Sequence, residues 1–255
     1  MIFFVIILAI VQGLTEFLPV SSSGHLVLLN KFFGIENDFL LLSVILHVAT
    51  LSSVLIVLRK QVKEIILHPF GELSKKLIVA TIPTVIIVLC FKSFFDNAFD
   101  GRYLPICFML TAILIVVSEF VSSNQKQHGY KSLSFIRAFT MGIAQGIAVL
   151  PGISRSGATI CTGLITGCKR EEVAHFSFLM SIPIILASLI LEVYEYISVG
   201  QTLTLAWYEL LIGFIVAFVV GIIAVKFMLK IIEKHTLLWF AVYLVIISIL
   251  SFFVI

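Results

Sequence analysis

Two polar interruptions in an apolar chain carry most of its reactive side chains. PVSSSGH, at 19–25, supplies three consecutive hydroxyls and a histidine; PGISRSGAT, at 151–159, supplies two serines, a threonine and an arginine. Gln12 and Glu16 precede the first break at i and i+4, so a helix running up to it presents both on one face. Gln145 stands before the second break. These residue types suit phosphate chemistry. The planar fork of Arg155 grips a phosphate through two parallel N–H donors. Ser154, Ser156, Thr159 and Ser21 are its hydroxyl partners, and helix starts near Gly24 and Gly157 add backbone N–H groups. Ser22 is a candidate nucleophile and His25 a candidate proton shuttle. Glu16 has three readings: general base, oxygen ligand to Mg2+ or Ca2+, or counter-ion to Arg155. Gln12 is neutral, so it orients a water, a metal or an oxyanion but takes no proton. A plainer reading stands beside these: Arg155 and Glu16 form a bracing ion pair, His25 is a satisfied hydrogen-bonding side chain, and the serines solvate a broken helix.

The composition says where these breaks lie. Of 255 residues, 60% are hydrophobic and 12% charged, with a mean hydropathy of +1.18. A soluble domain carries about a quarter charged residues, so lipid must solvate this exterior, and no nucleic-acid partner is expected. An unpartnered charge at membrane depth costs about 2.5–3.5 kcal/mol, which singles out Glu16 and Arg155. Six segments are long enough to cross a hydrocarbon core of about 30 Å: 39–58, 77–91, 104–121, 173–191, 208–226 and 237–255. The stretches 1–30 and 137–168 read instead as re-entrant helical hairpins, because irregular backbone in a membrane needs protein or a wet cavity around it. The start of the chain lacks a basic region and a small-residue cleavage site, so it is expected to belong to the mature protein.

Charge sets the orientation. Thirteen of the seventeen Lys and Arg fall in alternate connections (Arg59, Lys60, Lys63, Lys75, Lys76, Lys126, Lys131, Arg137, Lys169, Arg170, Lys226, Lys230, Lys234), against Lys31, Lys92 and Arg102 in the others. The basic side is expected to be cytoplasmic. That alternation holds only if both hairpins return to the side they entered from, which gives hairpin-span-span-span twice with opposite orientation. VQGLTEFLPVSSSG resembles AQGIAVLPGISRSG, as two such halves require. The expectation is one all-α membrane domain, 1–255, with six transmembrane helices and two re-entrant hairpins in an inverted-topology repeat of halves 1–121 and 137–255. Such repeats meet at a midplane site.

Other polar residues read more plainly. Cys90, Cys107, Cys161 and Cys168 lack metal or disulfide spacing and read as packed side chains. His47 and His175 occur singly in spans and read as packing residues, Pro83 and Pro183 as helix kinks, and Glu119 as an interfacial acid. Gly213 and Gly221 make no firm interface motif.

QGLTEFLPVSSSGH and PGISRSGAT together resemble the two signature segments of the undecaprenyl-diphosphate phosphatase family of bacitracin-resistance membrane proteins, in segment order and over essentially the whole chain. The resemblance implies a hydrolase that converts undecaprenyl diphosphate to undecaprenyl phosphate and phosphate, recycling the lipid carrier of cell-wall synthesis. It implies a site open to the outer face of the bacterial cytoplasmic membrane and a divalent cation, Mg2+ or Ca2+. It maps an acidic motif onto Gln12 and Glu16, a serine/histidine motif onto Ser21, Ser22 and His25, and a phosphate motif onto Ser154, Arg155 and Thr159. Many members have glutamate where this chain has Gln12, which leaves Glu16 as the one motif carboxylate for a metal. Two other readings stay open: a transporter or flippase of phosphorylated polyprenyl lipid, since inverted repeats with midplane hairpins are a transporter architecture, and a phosphatase of shorter isoprenoid diphosphates.

Overall fold

The computed structural model describes residues 2–33, 39–125, 130–199 and 205–255. Its described residues form twelve helices: α1 (Ile2–Thr15), α2 (Ser22–Phe33), α3 (Phe39–Val57), α4 (Arg59–Leu67), α5 (Glu72–Cys90), α6 (Lys92–Ala98), α7 (Leu104–Gln125), α8 (Phe135–Ile147), α9 (Arg155–Ile165), α10 (Arg170–Val199), α11 (Trp207–Lys234) and α12 (Leu238–Ser251). Among the described residues an isolated bridge between Lys131 and Cys168 is the extended pairing. Four helices, α5, α7, α10 and α11, are long and apolar enough to cross a membrane. α3 joins them when taken with α4, which leaves it at 83° across Leu58. α12, with 14 residues, is shorter than a straight crossing needs.

Both polar breaks end one short helix and start another. α1 gives way to α2 around 16–21, and α8 to α9 around 148–154. The hairpins are not self-contained. α1 lies along α11, α8 along α5, α3 along α11 and α10, and α7 along α12. Glycine permits the closest approaches. A Cβ on Gly142 of α8 would run into the Ala80 carbonyl oxygen of α5; one on Gly13 of α1 would stand 2.9 Å from Ala217 O of α11. Gly221 of α11 meets Ser53 of α3, whose hydroxyl donates to Phe218 O at 2.8 Å. Lipid tails are as apolar as leucine, so backbone proximity and hydrogen bonds of this kind hold membrane helices together.

The basic connections gather at one end. There Arg170 donates to Glu119 Oε2 at 2.7 Å and to the Ile232 and His235 carbonyls that close α11, while Glu119 Oε1 accepts Leu237 N at the start of α12 at 3.0 Å. Glu119, expected as an interfacial acid, lies at this end with 11% of its side chain exposed, and it joins α7, α10 and α12. Leu133 N donates to Glu172 and Lys131 N to Gly167 O at this same end. At the other end the Lys31 side chain lies against Gly101, and Arg102 pairs with Asp100.

Candidate active site

The turn after α1 and the start of α9 bring one acid and one base together inside the apolar body. Arg155 Nη2 donates to Glu16 Oε1 at 2.6 Å, with 14% and 5% of the two side chains exposed. The other oxygen, Glu16 Oε2, accepts from Ser22 Oγ at 2.5 Å and from Gln12 Nε2 at 3.0 Å. Gln12 thus donates to the carboxylate beside it, and its own Oε1 is buried without a partner among the described residues. Arg155 Nη1 is likewise buried and unpartnered among the described residues. A guanidinium so placed has one nitrogen committed to Glu16 and one still in need of an acceptor, and an unmade bond of that kind costs about 1–3 kcal/mol or more.

Serine caps fix where these residues point. Ser21 caps α2, its Oγ accepting Gly24 N at 3.3 Å; Ser154 caps α9, its Oγ accepting Gly157 N at 3.1 Å. Each hydroxyl takes the third N–H of its helix, so Ser22 and Arg155 both occupy the first helical position, in the same register. Each cap also reaches the opposite turn: Ser21 Oγ accepts Gly152 N at 3.1 Å, and Ser154 Oγ donates to Leu18 O at 3.5 Å. Ser21 holds φ +69, rare for a residue with a Cβ, and the reciprocal bonds over-determine it. At Gly152, φ +93 and the Cys107 Cβ 2.7 Å from a would-be Cβ leave room only for glycine.

A cavity of about 190 Å3 opens on this pair. At about 10–15 Å3 of such space for each water, it has room for a phosphate head group. Glu16, Ser21, Ser22, Ser154 and Arg155 line it, with Ser43 and His47 from α3, Gln145 from α8, and Ser188 and Glu192 from α10. Phe99 lines it from the connection opposite to the basic end.

Four expected site residues are placed elsewhere. His25 is outside the cavity lining: its ring sits between Phe108 and Tyr243, Nδ1–H donates to Ser21 O at 2.7 Å, and Nε2 accepts from Tyr243 OH at 2.7 Å. Ser156 donates to Leu18 O at 2.9 Å, tying the two turns. Thr159 faces α10, its hydroxyl 2.6 Å from Ser177 Oγ and also bonded to Arg155 O. Gln12 lies behind Glu16 and does not line the cavity. His47, read from sequence as a packing residue, lines it instead. The signal was present as Ser43-x-x-x-His47, a spacing that lets one helical turn anchor the ring.

Residues 5–250 match the profile of the family described as bacitracin resistance protein BacA. The chain belongs to this family. Its sequence is 44% identical over 242 residues to a protein of Carboxydothermus hydrogenoformans, covering 93% of this chain and 91% of the relative. It is 40% identical to proteins of Halothermothrix orenii, over 252 residues covering 98% and 96%, and of Treponema denticola, over 259 residues covering 96% and 94%. All three relatives bear the name undecaprenyl-diphosphatase. The similarity spans both hairpins and every helix between them, so it extends beyond the two motif segments.

The divalent cation implied by the resemblance finds few donors. Both oxygens of Glu16 already accept N–H or O–H groups, and a guanidinium nitrogen stands 2.6 Å from one of them. Among the described residues no three His, Cys, Asp or Glu side chains converge on a point that would hold an ion. These side chains alone do not form a cation cage.

Proposed function

We propose that the chain is a membrane hydrolase that converts undecaprenyl diphosphate to undecaprenyl phosphate and inorganic phosphate, in keeping with the name undecaprenyl-diphosphatase that its relatives bear. One observation carries this reading: Arg155 holds Glu16 with one terminal nitrogen and leaves the other buried and unpartnered at a phosphate-sized cavity. An arriving diphosphate supplies the missing acceptors. It also competes with Glu16 for the guanidinium, which frees the carboxylate to act on Ser22. Ser22 Oγ attacks the terminal phosphorus, its proton passes to Glu16 Oε2, and the bond to the bridging oxygen breaks with undecaprenyl phosphate as leaving group. Water then attacks the phosphoserine, Ser22 recovers its proton from Glu16, and phosphate departs. Ser154 hydrogen-bonds the phosphate, while Ser21, Ser156, Thr159, Gln12 and His25 hold the turns and the acid in place.

The same reading includes topology. Six spans and two re-entrant hairpins form an inverted repeat, and three features support it: the shared cap register, the reciprocal packing of α1 on α11 and α8 on α5, and the self-equivalent pairs α3–α10 and α7–α12. α12 completes the sixth crossing with the apolar residues 252–255 that follow it. The cavity faces the outer side of the bacterial cytoplasmic membrane, because Phe99 and Glu192 border it while the basic clusters gather at the opposite end.

Purified protein in detergent, given undecaprenyl diphosphate with no membrane gradient, is expected to release phosphate. Rapid acid quench is expected to trap phosphate on Ser22, and Ser22→Ala to abolish turnover. Binding without release overturns the hydrolase in favour of a lipid carrier; full turnover by Ser22→Ala removes the serine from its role.

A further inference from the structure

Two histidines lie near the site, and they differ in what their rings have left to offer. Both nitrogens of His25 are engaged, by Ser21 O and by Tyr243 OH, and the ring is enclosed by two aromatic neighbours. His47, on α3, is held at one nitrogen only. Its Nδ1 lies 2.8 Å from Ser43 O and 3.2 Å from Ser43 Oγ. A carbonyl oxygen can only accept, so Nδ1 carries the proton and the tautomer is fixed. Nε2 makes no hydrogen bond among the described residues, and His47 lines the cavity with Glu16, Ser22, Ser154 and Arg155. The remaining charged group on this cavity is Glu192 of α10; α11, which also packs on α3, contributes no lining residue.

We infer that His47 is a further phosphate-binding residue: its Nε2 closes the wall of the cavity that α3 supplies and contacts the terminal phosphate of the diphosphate. It meets a P–OH as an acceptor or, protonated, a P–O− as a donor. Arg155 and His47 then hold the head group from two different elements, the hairpin and a span, so the phosphorus is positioned against Ser22 from both sides. Ser43 acts through His47, as the anchor that fixes its ring. This assignment rests on the hydrolase reading above and adds a residue that the two signature segments do not contain.

The test uses the full-length protein with two probes, undecaprenyl diphosphate for kinetics and inorganic pyrophosphate for calorimetric binding. Loss of a hydrogen bond to a charged group predicts that His47→Leu raises KM about tenfold or more and weakens pyrophosphate binding by a similar factor, with kcat within about twofold. His47→Gln keeps a polar side chain at nearly the same reach and is expected to restore most of both. The inference is overturned if His47→Leu binds pyrophosphate and saturates with substrate as the wild type does, or if the loss falls on kcat alone. Wild-type protein that binds pyrophosphate but releases no phosphate overturns the hydrolase reading, and the pyrophosphate comparison still decides His47.

Discussion

Glu16 is the residue on which three donors converge: Arg155 on one oxygen, Ser22 and Gln12 on the other. Its partners explain what a neutral Gln12 does beside it. The amide turns its nitrogen to the carboxylate and supports it as a donor, a task that needs no ionisation. Arg155→Lys keeps the charge but loses the fork, so one nitrogen cannot serve Glu16 and a phosphate together. Turnover of undecaprenyl diphosphate is expected to fall about 100-fold or more, as on removal of one preorganised donor; a near-wild-type rate in a phosphate-release assay would remove Arg155 from the clamp. The pair itself was legible in the sequence, because two charges inside apolar segments have few other reasons to be there. The partner of His25 was not, since Tyr243 lies 218 residues away. Nor was the cavity-facing side of His47, since periodicity in an apolar span does not say which face meets a site.

At the level of elements, hydropathy located the long apolar helices, while α4 and α6 fell outside every expected segment and boundaries were harder. α10 and α11 extend past their apolar windows through charged turns, and α3 breaks at Leu58 with neither glycine nor proline to announce it. The two hairpin breaks were readable from Pro, Gly and Ser, which unmake a helix for known reasons. Which helices touch was hidden, because a glycine in an apolar helix marks a close approach without naming the partner. Gly142 gives the sharpest test. Gly142→Ala drives a methyl into the Ala80 carbonyl, whereas Gly146→Ala makes contacts of 2.9–3.2 Å with Ile87 and the Thr84 backbone, which a shift of a few tenths of an ångström relieves. Overpacking costs about 1–3 kcal/mol or more, so Gly142→Ala is expected to lower the thermal midpoint in detergent well below that of Gly146→Ala. Equal midpoints would mean that α5 and α8 separate more easily than their geometry implies.

For the molecule as a whole, the two ends do different work. One end holds the cavity; the other is closed by Glu119 and Arg170, which join α7, α10, α11 and α12. Removing one member of a buried pair costs about 3–5 kcal/mol because the other charge is stranded. Arg170→Ala is therefore expected to unfold at much lower temperature, and Glu119→Leu combined with Arg170→Met to recover part of the loss in the same melting assay. A double variant less stable than either single one would show that the pair's remaining backbone bonds dominate. The pairing of α1 with α11 also has a consequence in time. Gly13 meets Ala217 and Val220, about 200 residues further along the chain. At synthesis rates of about 5–20 residues per second, α1 waits on the order of 10–40 s for the surface it is built to cover. Arg155 follows Glu16 by 139 residues, so for about 7–28 s of that interval the polar face of α1 lacks the arginine it pairs with. The nascent first half thus holds Glu16 without its partner until the second half is made.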